Sequence, residues 1–276
     1  MNEHFLYHYT SIETLALILK NKTICFNNLL NVDDKEEAKT QDMGNFGKYV
    51  NVSCWTEDSE ESIPLWDLYT PNMKGVRIGL PRFPFKKYRF LAGEYNLAEN
   101  VDTYIDLEWL YNTNCGGIIP QMPLLVKVEY TDDENKLFPK VRECNDDEEL
   151  RNYIDNGTKN SGKNLSVSYS LKELGIYKRS NWSFQKEWRY IITSSPIRIK
   201  EMPSVESNRE LIRRIEDIKS PAPFERIFLS IDEKYFDNLE VLIGPKVTEG
   251  GKIIVESLIN QYAPNATIIE SKLRIR

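Results

Sequence analysis

The sequence predicts an α+β protein, a mixed β-sheet core with flanking helices, in a single domain over residues 1–276. Short runs rich in Val, Ile, Tyr and Phe alternate with segments whose apolar residues recur at helical spacing. The chain closes on a strand, a helix and a second strand, the pattern of a βαβ unit. With 41% hydrophobic and 11% aromatic residues over 276 positions, the chain also has enough apolar material for a core.

Phe5-Leu6-Tyr7-His8-Tyr9 reads as a strand. Thr10-x-x-Glu13, ahead of Leu15, Leu17, Ile18 and Leu19, fits a capping box that opens a helix, so His8 falls just before a helix N-terminus. Tyr49 to Trp55 is a second strand, Glu57 to Glu61 an exposed acidic turn, Ile63 to Tyr69 a helix and Gly75 to Leu80 a strand. From about 83 to 175 the pattern is less regular, and this middle segment is expected to be partly mobile. Within it, Trp109-Leu110-Tyr111 belongs to a helix, Leu124 to Tyr130 to a strand, and Asp146 to Glu149 starts a polar helix that fades into loop composition over 156–164. Beyond it come a strand from Trp188 to Thr193, a charged helix around Glu206 to Lys219 and a strand from Arg226 to Ser230. The closing unit is Glu240 to Pro245, Gly251 to Tyr262 and Ala266 to Glu270. Gly244 and Gly250-Gly251 could offer amides to a phosphate, but with neither G-x-G-x-x-G nor a Walker A pattern the plainer reading is a turn and a helix start.

Composition narrows the function. A formal charge of −6 and a pI near 5.3 give no global basic field, so a nucleic-acid partner would need a local patch. Cys25, Cys54, Cys115 and Cys144 stand far apart with no C-x-x-C pair, which reads as free thiols in a reducing compartment. No apolar stretch approaches the ~18 residues of a bilayer span, and no leader pattern opens the chain. The expectation is a cytoplasmic protein without a membrane partner. Histidines are only His4 and His8, so no metal is expected and acid–base work falls to His8 or to carboxylates.

Two strings place chemically capable side chains where a purely structural strand would hold Val, Ile or Phe. They are Tyr7-His8-Tyr9-Thr10 and Gln185-Lys186-Glu187-Trp188-Arg189. Gln185 and Glu187, two apart on a strand, share one face. Lys178-Arg179, Lys186, Arg189 and Arg77 would suit phosphates. The plain structural readings stand beside these: His8 bonded to backbone, Glu187 paired with Arg189 or Lys186, and the tryptophans in the core.

The strings L-Y-H-Y-T-S-I-E, V-S-C-W-T-E, L-W-D-L-Y, K-G-V-R-I-G-L, K-E-W-R and V-L-I-G-P with E-S-K-L, in this order over most of the chain, resemble the DUF2971 family of bacterial proteins. More distantly, Tyr7-His8-Tyr9-Thr10 resembles the Y-H-G-T string of diphtheria-toxin-like ADP-ribosyltransferases, and Gln185-x-Glu187 their Q-x-E string. This second resemblance implies an ADP-ribosyltransferase-like mixed β-sheet core with NAD as substrate. In it Glu187 is the catalytic carboxylate at the nicotinamide ribose and Gln185 faces the acceptor. His8 holds a ribose hydroxyl, and Thr10, Tyr9, Ser53, Trp66, Tyr69 and Arg189 complete the NAD site. Tyr9 stands where those enzymes have glycine, no S-T-S string follows, and their central tyrosine is matched only by Trp55, Trp66 or Tyr69. Cleaving the bond to nicotinamide builds positive charge on the ribose, which a fixed carboxylate stabilises, and nicotinamide leaves without protonation. The implied function is transfer of ADP-ribose from NAD to a macromolecular acceptor, protein or nucleic acid, as a toxin or in phage defence. A second reading is an inactive relative that senses a nucleotide or a nucleic-acid end; a third is a purely structural interaction protein.

Overall fold

Alternation of side chains along β1 (Phe5–Thr10) buries Leu6 on one face and sends Tyr7 and Tyr9 to the other. The computed structural model to which it belongs describes residues 5–118, 122–157, 165–201 and 205–275, with the backbone alone for 205–207. His4 and positions 158–164 of the loop-like stretch lie outside the described residues.

β1 leads into α1 (Ile12–Asn21), whose N-cap is Ser11: its hydroxyl accepts from the Thr14 amide at 3.1 Å. The cap falls one residue after the Thr10 of the expected capping box, because Thr10 still pairs in the sheet, opposite Val76. β2 (Thr23–Asn28), β3 (Val50–Thr56), α2 (Ile63–Tyr69) and β4 (Val76–Pro81) follow. The acidic stretch after β3 is tethered rather than a free turn. Glu57 pairs with Lys127 at 2.6 Å, Asp58 with Lys186 at 2.6 Å, and Glu61 accepts from Trp66 Nε1 at 3.1 Å.

The middle is built of short pieces: β5 (Tyr88–Phe90), β6 (Val101–Thr103), α3 (Leu107–Asn112), β7 (Gly117–Ile118), β8 (Leu124–Lys127), β9 (Glu129–Thr131), α4 (Glu134–Leu137), β10 (Arg142–Cys144), α5 (Asp147–Asn156) and β11 (Val167–Tyr169). The single strand expected over Leu124 to Tyr130 breaks at Val128, whose amide bonds the Glu187 carbonyl at 2.9 Å while the next amide turns to Ile176 O. β9 therefore leaves the main sheet and pairs in parallel with β12 (Tyr177–Arg179). β13 (Glu187–Ser195), α6 (Val205–Glu216), β14 (Arg226–Ser230), β15 (Glu240–Ile243), α7 (Glu249–Tyr262) and β16 (Thr267–Glu270) complete the chain. β15 and β16 are parallel with α7 as crossover, the expected βαβ unit.

The main sheet follows the path β14-β2-β3-β1-β4-β15-β16, and β13 branches from β3 carrying β7 and β8. β3 is the branch point. β13 lies antiparallel along one edge of it, from Glu187 opposite Thr56 to Thr193 opposite Val50. Its other edge is shared, because β2 pairs at Asn51 and Val52 while β1 reaches only Thr56. Between those contacts, beside Ser53, Cys54 and Trp55, the sheet parts.

Apolar side chains gather on both faces. Leu6, Leu15, Leu19, Ile78, Val241, Val255 and Ile259 belong to the largest cluster, with Tyr190 and Ile192 from β13. Ile191, between them, points oppositely and joins Val50, Val52, Phe46 and Leu174. A third cluster of Tyr9, Leu65, Trp66, Met73 and Leu242 seats α2. Among the described residues no helix is long and apolar enough to cross a membrane.

Candidate functional site

The parting of β1 from β3 exposes a backbone carbonyl, and His8 fills the gap. Its Nδ1 lies 2.8 Å from Cys54 O, and since a carbonyl only accepts, Nδ1 carries the proton and Nε2 is left as an acceptor. Burial pushes the imidazole below its ordinary pKa, and the bond to Cys54 O opposes this only in part. The ring leans on Trp55, with centroids 5.2 Å apart. β13 starts opposite the same end of β3, which brings Glu187 to this gap from far along the chain. His8, Tyr9, Cys54, Tyr69, Gln185 and Glu187 are among the residues lining one pocket of about 60 Å³. That space admits about two waters.

Glu187 is only 5% exposed and sits among charges. Arg189, two residues on and on the same face, grips it with both prongs, Nε to Oε1 at 2.6 Å and Nη2 to Oε2 at 3.1 Å. Lys178 Nζ lies 3.3 Å from Glu187 Oε2, 3.3 Å from Glu37 Oε1 and 2.7 Å from Gln185 Oε1. Arg189 Nη1 also reaches Glu37 Oε2, and Gly175 O at 3.1 Å. The cluster thus joins two carboxylates and two cations with no net charge, as burial requires. Burial alone would raise the Glu187 pKa; Arg189 and then Lys178 outweigh it and hold the carboxyl at about 2. Gln185 spans the pocket wall, its Nε2 donating to Tyr69 OH at 2.6 Å. The Glu187 amide donates to Tyr130 OH at 2.8 Å.

Six of the residues singled out in the sequence, His8, Tyr9, Trp55, Tyr69, Gln185 and Glu187, therefore meet in one pocket. Four do not line it. Thr10 is buried at the far end of β1, Ser53 accepts from Trp55 Nε1, and Trp66 packs edge-on beneath Tyr9. Arg189, expected to face NAD, is fully buried behind Glu187 with its donors committed to two carboxylates and a carbonyl. The other cations expected to suit phosphates are likewise engaged. Lys178 is 2% exposed, Arg179 pairs with Glu36 and Glu134, and Lys186 pairs with Asp58. Arg77 stacks on Tyr7 at 4.4 Å and donates to Ser59 O at 2.8 Å. Gln185, expected to face an acceptor, is 3% exposed with both ends of its amide bonded inside. Gly244 donates its amide to Gly75 O and Gly251 to Thr248 Oγ1, so these glycines are structural.

Glu37, Cys54 and Tyr130 were not singled out as parts of a site, and Lys178 was read as a cation for phosphates rather than as a partner of Gln185 and Glu187. Glu37 lies in an unremarkable charged stretch, and Lys178 reads as an exposed cation until the parallel pairing of β12 with β9 turns it inward.

A family model for DUF2971, described as a protein of unknown function, matches residues 65–190. The resemblance read from the motifs is thereby shown over that stretch, which holds Tyr69, Lys178, Gln185, Glu187 and Arg189 but not His8. No curated protein and no solved structure matches the chain.

Proposed function

We propose that the gap between β1 and β3 binds NAD or a related nucleotide, that Glu187 is the catalytic carboxylate for cleavage of the nicotinamide–ribose bond, and that ADP-ribose passes to a macromolecular acceptor or to water. A toxin or phage-defence role in the bacterial cytoplasm accompanies this reading by analogy. The observation that supports it is the convergence of His8, Tyr9, Tyr69, Gln185 and Glu187, drawn from both ends of the chain, on one pocket. Cleavage sends the bonding pair to the nicotinamide nitrogen and leaves positive charge on the ribose, while the incoming nucleophile forms the new bond and releases its proton to solvent water. A carboxylate that stays ionised at any physiological pH suits that task, as does a neutral imidazole presenting Nε2 to a hydroxyl. A pocket of about 60 Å³ is small for a nicotinamide ring, and parting of the Tyr69–Gln185 contact in its wall would enlarge it.

A second reading, a nucleotide sensor that binds without turnover, is favoured by a different observation: both oxygens of Glu187 already accept from Arg189, and one also faces Lys178. Incubation with NAD separates the two. Release of nicotinamide supports the enzyme, and saturable binding without release supports the sensor. Neither binding nor release overturns both.

A further inference from the structure

We infer that Lys178 is the positioning residue of this pocket: its ammonium orients Gln185 and Glu187 together, with Glu37 as its counter-charge. The side chain is 2% exposed, and its three oxygen neighbours are Gln185 Oε1, Glu187 Oε2 and Glu37 Oε1. An ammonium only donates, so it admits the oxygen of the Gln185 amide and excludes the nitrogen. The amide is thereby turned one way, with Nε2 aimed at Tyr69 OH. Through one cation the start of β13 is tied to α2, which carries Tyr69, and the pocket wall closes. Glu37 is needed because Lys178 and Arg189 would otherwise face Glu187 with an excess positive charge in a buried place. Trp182 covers the ammonium from the side, its ring centroid 4.6 Å from Nζ.

The role in wall closure is independent of what the pocket binds; the role in turnover rests on the proposed function. Cys54 lines the same pocket and reports on the first. In a background with Cys25, Cys115 and Cys144 replaced by serine, the rate at which a maleimide labels Cys54, corrected for the thiolate fraction titrated in each variant because the Lys178 charge also acts on that thiol, measures how often the wall opens. Lys178→Met frees the Gln185 amide, and labelling is expected to rise about five- to tenfold, the scale of one lost hydrogen bond. Gln185→Ala is expected to do the same, and the double substitution to label no faster than Gln185→Ala alone, since both remove one linkage.

Labelling of Lys178→Met at the wild-type rate, or effects that multiply in the double variant, would overturn the inference. Lys178→Met leaves a net buried negative charge, so the neutral Glu37→Gln/Lys178→Met variant is measured beside it. If both fail to fold, the cation is structural and the inference falls. Nicotinamide release by the unsubstituted chain judges the functional reading separately. Where release is present, Lys178→Met is expected to lower kcat several-fold with KM little changed, and a change confined to KM would count against positioning.

Discussion

Glu187 is where the plain and the functional readings of one residue meet, because it lines the pocket while making, behind the wall, the pairing with Arg189 that a structural strand would show. Its burial changes what a substitution does. Glu187→Gln leaves Lys178 and Arg189 facing Glu37 alone, and losing one partner of a buried pair costs about 3–5 kcal/mol, well above the ~1 kcal/mol of an exposed pair. We therefore expect a clear fall in melting temperature, and a 10²- to 10³-fold fall in turnover per folded molecule. Full turnover in the folded fraction would remove Glu187 from catalysis. The same residue sets an acid limit. Its folded pKa of about 2 lies below the ordinary 4.5, so its contribution to stability is whole above 4.5 and fades as pH falls toward 2. Unfolding free energies measured across that window should show a slope that is shallower in Glu187→Gln, the remainder belonging to other paired carboxyls such as Glu210. His8 differs in kind, because burial lowers its pKa and leaves it a neutral acceptor above the ordinary histidine range. Ligand affinity should be flat there, fall only at lower pH, and drop several-fold in His8→Ala, which loses about one neutral hydrogen bond. An isotherm unchanged by that substitution excludes His8 from binding. At this scale the identities of His8, Gln185 and Glu187 were legible, since polar side chains in apolar strands stand out. Of their partners, Arg189 was legible as a pairing two residues on, whereas Glu37 and the inward role of Lys178 were not, because nothing local distinguishes them from surface charges.

The elements follow local chemistry closely where the pattern is strong. α2 spans Ile63–Tyr69 and β14 Arg226–Ser230, both as their periodicity predicts. Where tertiary pairing competes, it wins: Thr10 stays in β1 and hands the cap to Ser11, and the run through Val128 divides between two partners. Ser11→Ala should cost about 1 kcal/mol in denaturant unfolding, whereas Thr10 substitutions should leave the cap intact. A sharper constraint sits at the turn into β4. A Cβ at Gly75 would stand 2.2 Å from Thr10 O and 2.6 Å from Thr70 Cβ, and backbone cannot step aside as a side-chain tip can. Gly75→Ala is expected to destabilise by roughly 1–3 kcal/mol, the scale of overpacking, and to disturb the β1–β4 pairing beside the pocket. An unfolding midpoint unmoved by this substitution would contradict that close approach.

Across the whole molecule, the last described residues brace the pocket from outside. Ser271 Oγ donates to Glu61 Oε2 at 2.6 Å, and the Lys272 amide to Glu61 Oε1 at 3.0 Å. Leu273 and Ile275 pack on the cluster of Tyr9, Leu65 and Trp66 that seats α2. Removing residues 271–276 should lower stability by roughly 1–3 kcal/mol, as partial exposure of two apolar side chains and their neighbours implies, and should speed Cys54 labelling. Unchanged melting and labelling would show that α2 needs no such brace. The sequence by itself determined that the chain is α+β, where most strands and helices lie, and which polar residues stand inside its apolar strands. Periodicity and residue chemistry are local properties, readable along the chain. Only the tertiary structure decided that β3 is shared between β1 and β2, that the resulting gap is filled by His8, and that Glu187 arrives there already held by Arg189 and Lys178. Strand order and buried charge pairing depend on contacts between residues distant in sequence, and no local pattern encodes which of many charged side chains will be turned inward.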